Sequence, residues 1–313
     1  MMVKRKNPSQ NSCYKPAPTS RVRSVRWVFL KWPALLVGAD LSLVCFTLAI
    51  QSAVGLVCIR VIGRWLGGGG LPDISFRPMI IALTLTGIGL CAALAHLARP
   101  RLAPLALCNP ATSWLSREVL LVPAFAAALA LAILSSPVAS PAVLIFLESA
   151  ACLLGAAALF AMTGVYRLKT VPAWNTPATG FEFAGSVMLL GGALSAVLTG
   201  LETGDHLWRD PDFATAAIGI FLGLMMKLAA ISPAMQAERV ARNETWYPHK
   251  IAAFSAGQAQ AIRWMFNLAG LALILGSLAV STWPWSCLGL IFIVTGEVLG
   301  RVMFYKAYRR IGL

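Results

Sequence analysis

The sequence has little charge and few histidines for its length. Charged residues make up 12% of its 313 positions, where a soluble domain carries about 25%. Hydrophobic residues reach 58%, and the mean hydropathy is +0.74. Low charge combined with this hydropathy excludes an ordinary soluble globular protein and predicts a protein of the lipid bilayer.

Metal-binding patterns are also lacking. The seven cysteines include no pair spaced as Cys-x-x-Cys, so we expect neither a disulfide framework nor an iron–sulfur or zinc site. A bis-histidine haem needs two imidazoles at membrane depth, and only His96 of the three histidines lies in an apolar segment. The sequence therefore predicts no haem and no metal in this chain.

Eight apolar segments are long enough to cross a bilayer, which takes about 20 helical residues. They predict an all-α integral membrane protein, a bundle of eight transmembrane helices. Residues 1–32 are interpreted as a basic cytoplasmic tail and 33–313 as the membrane domain. The segments are 34–58, 78–98, 117–136, 141–165, 181–200, 212–232, 262–281 and 284–305.

The net charge of +14 follows a topological pattern. Of the 26 lysines and arginines, 21 fall in the tail, after the second, fourth and sixth segments, or at the C-terminus. Such a bias predicts both termini in the cytoplasm and a multi-pass protein of the inner membrane, rather than a nucleic-acid-binding protein. Arg60 and Arg64, just after the first segment, oppose the bias. Lys227, inside the sixth, is expected to snorkel toward the cytoplasm.

Ionisable residues inside a bilayer indicate functional sites by default. His96 near the end of the second segment and Arg117 and Glu118 at the start of the third belong to the same side of the membrane. They could line one pocket, where a histidine with a reference pKa of about 6.5 would exchange protons. In the alternative interpretation, each side chain only satisfies a backbone or arginine partner.

Two further sets of charges have other interpretations. Glu297 and Arg301 are four residues apart on one helix, the spacing of a structural ion pair. Asp40 and Glu148 could carry protons or could be buried protonated carboxyl groups bonded to a neighbouring helix. The sequence leaves the roles of these two residues open.

Short motifs occur in order along the predicted helices. They resemble the membrane-anchor subunit of the dimethyl sulfoxide reductase type, in which Ala95–Pro100 is similar to the family's HLGxP motif, with Ala98 where the family often has glycine. The Ser113–Glu118 form is also similar to anchors of sulfite-oxidising complexes, so the direction of electron flow stays open. The motifs are Trp32-Pro33, Gln51–Gly55, Ala95–Pro100, Ser113–Glu118, Thr170–Trp174 and Gly296–Arg301.

The resemblance implies a three-part complex of anaerobic respiration. A molybdopterin subunit would carry catalysis, an iron–sulfur subunit would carry electrons, and the anchor would bind menaquinone or ubiquinone without haem. The family's quinone-binding positions correspond to His96 and Glu118, with Arg117 beside them. We expect no substrate-converting site in the anchor itself and therefore no catalytic residue.

Two other functions fit a chain of eight apolar segments. A secondary transporter would have broken helices around a midplane site, often with internal repeats. The sequence shows no convincing repeat, and Pro123 is its main internal helix breaker. A purely structural anchor would contain no quinone site, and His96 would then be a satisfied helix residue.

Overall fold

The chain folds as eight α-helices in a computed structural model that describes residues 41–66, 76–97, 100–203, 211–243, 256–280 and 282–306. All eight are long and apolar enough to cross a membrane, and no strand occurs in these ranges, which confirms the predicted all-α membrane fold. The predicted tail and Asp40 lie outside the described residues. The helices are α1 (Leu41–Leu66), α2 (Arg77–His96), α3 (Trp114–Ser135), α4 (Pro141–Tyr166), α5 (Pro177–Thr203), α6 (Pro211–Asn243), α7 (Ala256–Val280) and α8 (Pro284–Lys306).

Consecutive helices pack as four antiparallel hairpins, α1–α2, α3–α4, α5–α6 and α7–α8. A 3-10 helix over Pro100–Cys108 lies between α2 and α3. Helices α1 and α5 are the most buried and contact each other at the centre. We call the end where α1, α3, α5 and α7 begin the proximal end, and the opposite one the distal end.

Local signals explain where the helices start. Ser113 caps α3, because its side chain accepts a hydrogen bond from the Ser116 N–H at 3.2 Å. Pro123 does not break α3, which continues to Ser135. Proline begins several other helices, as expected where a missing N–H removes no helical hydrogen bond. Those prolines are Pro141, Pro177, Pro211 and Pro284.

Two helices end beyond their predicted bounds. Helix α6 continues past 232 to Asn243, since good helix formers extend the helix after the apolar segment stops. Helix α1 ends at Leu66 and not at 58, so the prediction that Arg60 and Arg64 follow the first segment was wrong.

Acidic partners explain how two arginines lie within α1. The Arg60 guanidinium binds Glu202 at 2.6 Å and also binds Asp212. Arg64 forms an ion pair with Glu148, whose role the sequence left open. Arg60 and Arg64 therefore each have a carboxylate from another helix, which lowers the cost of placing them in an apolar helix.

Glycines allow α1 and α5 to touch through their backbones. A Cβ built on Gly55 would collide with the Val187 carbonyl oxygen and would lie 2.9 Å from the Gly191 Cα. A Cβ on Gly191 would collide with the backbone of Gly55 in return. Close approach of two helices through small residues is a common packing mode in membranes.

The described cysteines are free thiols. Two of them, Cys58 on α1 and Cys152 on α4, lie with their sulfur atoms 2.9 Å apart. This contact is a thiol hydrogen bond between two packed helices. Free cysteines buried in this way pack as small side chains.

The glycine contact predicts a large difference between two small substitutions. Gly191→Ala should destabilise the protein by about 1–3 kcal/mol, the usual effect of forcing atoms into a packed interface. Gly87→Ala is the matched control, because a Cβ there meets nothing within 4 Å. Thermal unfolding in detergent measures both variants, and equal midpoints would contradict the backbone contact.

Candidate functional site

Glu118 lies buried at the proximal end of α3. The Ser113 cap sets the start of this helix and places Glu118 in its second turn, with 5% of the residue exposed. Its Oε1 atom is buried without a hydrogen-bond partner among the described residues. A buried polar atom without a protein partner is uncommon and indicates a place for water or a ligand.

Arg117, the neighbour of Glu118, does not reach the same place. Its guanidinium donates from Nε to the Pro110 carbonyl at 2.8 Å and from a terminal nitrogen to the Ala111 carbonyl at 2.6 Å. It also stacks on Trp114, 4.3 Å from the ring centroid. Adjacent residues of a helix face different directions, so Arg117 holds the preceding turn while Glu118 points inward.

Five aromatic residues from α4, α5, α8 and the α4–α5 connection pack together at the proximal end. The Tyr166 and Tyr305 hydroxyl oxygens are 2.9 Å apart, and the Trp174 indole N–H donates to the Phe304 carbonyl at 2.9 Å. We call this set the aromatic cluster. Its members are Tyr166, Trp174, Phe183, Phe304 and Tyr305.

Arg301 contacts the aromatic cluster, with its Cζ 4.0 Å from the Phe183 ring centroid and 5.7 Å from that of Phe304. Glu118 lies within electrostatic range of the Tyr166 and Tyr305 phenols. The Tyr305 hydroxyl also lies 3.4 Å from the Thr47 hydroxyl of α1. Helices α3, α4 and α8 therefore bring a carboxyl group, two phenols and a guanidinium into one buried region.

His96 is the last residue of α2, and its backbone lies at the proximal end, as Glu118 does. Its side chain lies outside the described residues, so its predicted role stays a prediction. The described residues contain no group of three His, Cys, Asp or Glu side chains that could hold a metal ion.

A second feature is a set of buried charges among α5, α6, α7 and α8, which we call the charge network: Glu182, Lys227, Arg263 and Glu297. The Lys227 Nζ lies 2.9 Å from a Glu297 oxygen and 3.2 Å from a Glu182 oxygen. Arg263 binds Glu182 at 2.5 Å and lies 3.6 Å from Glu297. Lys227 is 1% exposed, so the prediction that it snorkels was wrong.

Glu297 and Arg301 do not form the predicted ion pair along one helix. Glu297 instead accepts from Ser186 at 2.5 Å and from Asn267 at 3.1 Å, besides its contact with Lys227. Arg301 donates to the Gln51 side-chain carbonyl at 2.6 Å. The two residues are four positions apart on one helix, as an ion pair requires, but both side chains bond groups on other helices instead.

Gln51, Tyr166 and Arg301 were not predicted as site residues together. Gln51 and Arg301 belong to the motifs Gln51–Gly55 and Gly296–Arg301, and Tyr166 ends α4. An intramembrane glutamine and an intramembrane arginine are signals that the sequence offers. Only the folded chain shows that they meet.

The charge network predicts a large effect of neutralising its central cation. Lys227→Met leaves Glu182 and Glu297 less well compensated and should destabilise the protein by about 3–5 kcal/mol. Thermal unfolding in detergent measures the loss. Lys169→Met, at an exposed connection, is the control and should shift stability by less than about 0.5 kcal/mol. Adding Glu297→Gln to Lys227→Met should recover part of the loss, and a further large drop would contradict the pairing.

Comparison with known proteins gives a consistent assignment. The family described as DMSO reductase anchor subunit (DmsC) matches residues 37–307. The anaerobic dimethyl sulfoxide reductase chain YnfH of Escherichia coli (strain K12) is 28% identical over 289 residues, covering 87% of this chain and 95% of that protein. No solved structure matches. Because the family match spans most of the chain, including all eight helices, this protein belongs to the DMSO reductase anchor subunit family and is a membrane-anchor subunit of a molybdopterin oxidoreductase.

Proposed function

We propose that this anchor subunit exchanges electrons with the quinone pool and passes them to or from an iron–sulfur subunit. The observation that carries the proposal is Glu118, a carboxyl group with a buried oxygen that has no partner among the described residues, within electrostatic range of two tyrosine hydroxyls. Quinone chemistry needs an apolar region for the ring and polar groups that bond its oxygens. The proximal end of the bundle offers both.

The residues present fit a quinone head group. Its two oxygens need hydrogen-bond partners, and phenols, carboxyl groups and guanidinium groups provide them. The aromatic cluster surrounds these groups with ring faces, which suits a flat aromatic ligand. His96 ends α2 at the same end of the bundle and is the proposed second proton-exchanging group.

The chemistry at this site is a transfer of two electrons and two protons. When a quinol is oxidised, Glu118 and His96 would accept its two protons and release them to water. The iron–sulfur subunit would accept the two electrons. Glu118 is buried, so its protonation state follows the charge of the bound head group.

The partner subunits bind at the proximal end in this proposal. The α4–α5 connection reaches that end and exposes Arg167 and Lys169, which provide positive charge for docking. A catalytic molybdopterin subunit completes the complex through the iron–sulfur subunit. We further propose that the membrane is the inner membrane and that the proximal end faces the cytoplasm.

Substitution of the proposed proton-exchanging residues tests the function. We expect His96→Ala and Glu118→Gln each to leave the complex assembled and to reduce quinol-linked turnover at least about a hundredfold, within the usual contribution of a positioned acid or base. Copurification of the partner subunits measures assembly. Electron transfer from a chemical reductant that bypasses quinol measures the activity of the other subunits. Turnover at the wild-type rate in both variants would refute the quinone site.

The orientation is tested with reporters. A fluorescent protein that folds only in the cytoplasm should be active when fused after Leu313, and a phosphatase active only in the periplasm should be inactive there. A second fusion in the distal connection between α5 and α6 should give the opposite result. A C-terminal phosphatase signal would overturn the proposed topology.

A further inference from the structure

Arg301 is a buried cation without a carboxylate partner. It is 4% exposed, and no carboxylate lies within ion-pair distance of it in the described part of the chain. Its neighbours are neutral: the Gln51 carbonyl at 2.6 Å, the Ser186 hydroxyl at 3.3 Å and the Phe183 ring centroid at 4.0 Å. Lys227 and Arg263 already occupy both carboxylates of the charge network.

An isolated buried charge is costly, and proteins normally pair it. Arg60, Arg64, Lys227 and Arg263 show this rule, since each contacts at least one carboxylate. The uncompensated positive charge therefore distinguishes Arg301 from these paired cations. Arg301 also lies against the aromatic cluster, with its Cζ 5.7 Å from the Phe304 ring centroid.

The contact between Arg301 and Gln51 leaves two buried donors without a partner among the described residues, Arg301 Nε and Gln51 Nε2. Glu118 Oε1 is a buried acceptor without a described partner toward the same end of the bundle. Buried donors and acceptors are normally satisfied. Two donors near a positive charge fit an oxygen that carries negative charge.

We propose that Arg301, oriented by Gln51, contacts one oxygen of the quinone head group and stabilises negative charge on it. This inference rests on the proposed function and adds Arg301 to the quinone site as a residue distinct from the proton-exchanging carboxyl group of Glu118. A nearby positive charge favours the deprotonated form of a bound hydroxyl. Proton loss from a quinol therefore becomes easier before its electrons leave for the iron–sulfur cluster.

The protein fixes the guanidinium before a ligand arrives. Gln51 accepts one N–H, Ser186 contacts the same nitrogen, and the Phe183 ring covers one face of the group. Ser186 also donates a hydrogen bond to Glu297, so the charge network helps to hold Arg301 in position. Little reorganisation is then needed when negative charge develops at the site.

The test compares two probes that differ in charge. The first is a 2-hydroxy-3-alkyl-1,4-naphthoquinone, which is an anion at neutral pH, and the second is its uncharged 2-methoxy analogue. Binding is measured on membranes that contain the complete complex. The wild type should prefer the anion, and Arg301→Gln should reduce this preference at least about tenfold, the loss expected for one hydrogen bond to a charged group.

Two further variants keep the test decisive if Arg301→Gln does not assemble. Arg301→Lys retains the charge without the planar fork and should keep part of the preference. Gln51→Leu removes the acceptor that orients Arg301 and should weaken the preference without changing the net charge. Arg64→Gln is the matched control: it removes one paired arginine at the distal end and should leave the preference intact.

The outcomes separate this inference from the proposed function. Equal losses of affinity for both probes would make Arg301 a structural residue only and would overturn the inference. An unchanged preference in Arg301→Gln, or in Gln51→Leu, would also overturn it, while quinol turnover that still depends on His96 and Glu118 would leave the quinone function standing. If the wild type bound neither probe and turnover ignored both residues, the proposed function would fail together with the inference.

Discussion

A buried charge in a bilayer has no water to solvate it, so it must find its partners within the protein. Lys227 meets this constraint by contacting Glu182 on α5 and Glu297 on α8, while Arg263 on α7 contacts both carboxylates. Four helices are thereby held in one register, because sliding any of them would separate charges that cannot be exposed. The positions of Ser186 and Arg301 follow from this arrangement.

The charges of the proximal half fall into two kinds. The charge network is closed, since each carboxylate in it has cationic partners at short distance. Glu118 and Arg301 are open, because neither has an oppositely charged partner among the described residues. Closed groups suit a scaffold and open groups suit binding. In the proposed function, the quinone head group would lie between α3 and α8, against the aromatic cluster.

The sequence predicted what depends on one segment at a time. Apolar length predicted eight helices and placed Glu118 at the start of the third. Contacts between distant segments were out of reach. The first predicted segment stopped before Arg60, because its partners Glu202 and Asp212 lie far along the chain and cannot be seen in the local sequence. The spacing of Glu297 and Arg301 suggested a local pair, but competition from Lys227 and Gln51 cannot be seen in one helix.

The arginines of α1 are synthesised before the carboxylates that pair with them. Arg60 and Arg64 enter the membrane early, whereas their partners Glu148, Glu202 and Asp212 belong to helices made later. At roughly 5–20 residues per second, the ribosome takes on the order of ten seconds to reach Glu202. During this interval α1 carries unpaired charges and a surface meant for α5. A membrane insertase or chaperone that shelters the first hairpins would protect the nascent subunit at its most vulnerable stage.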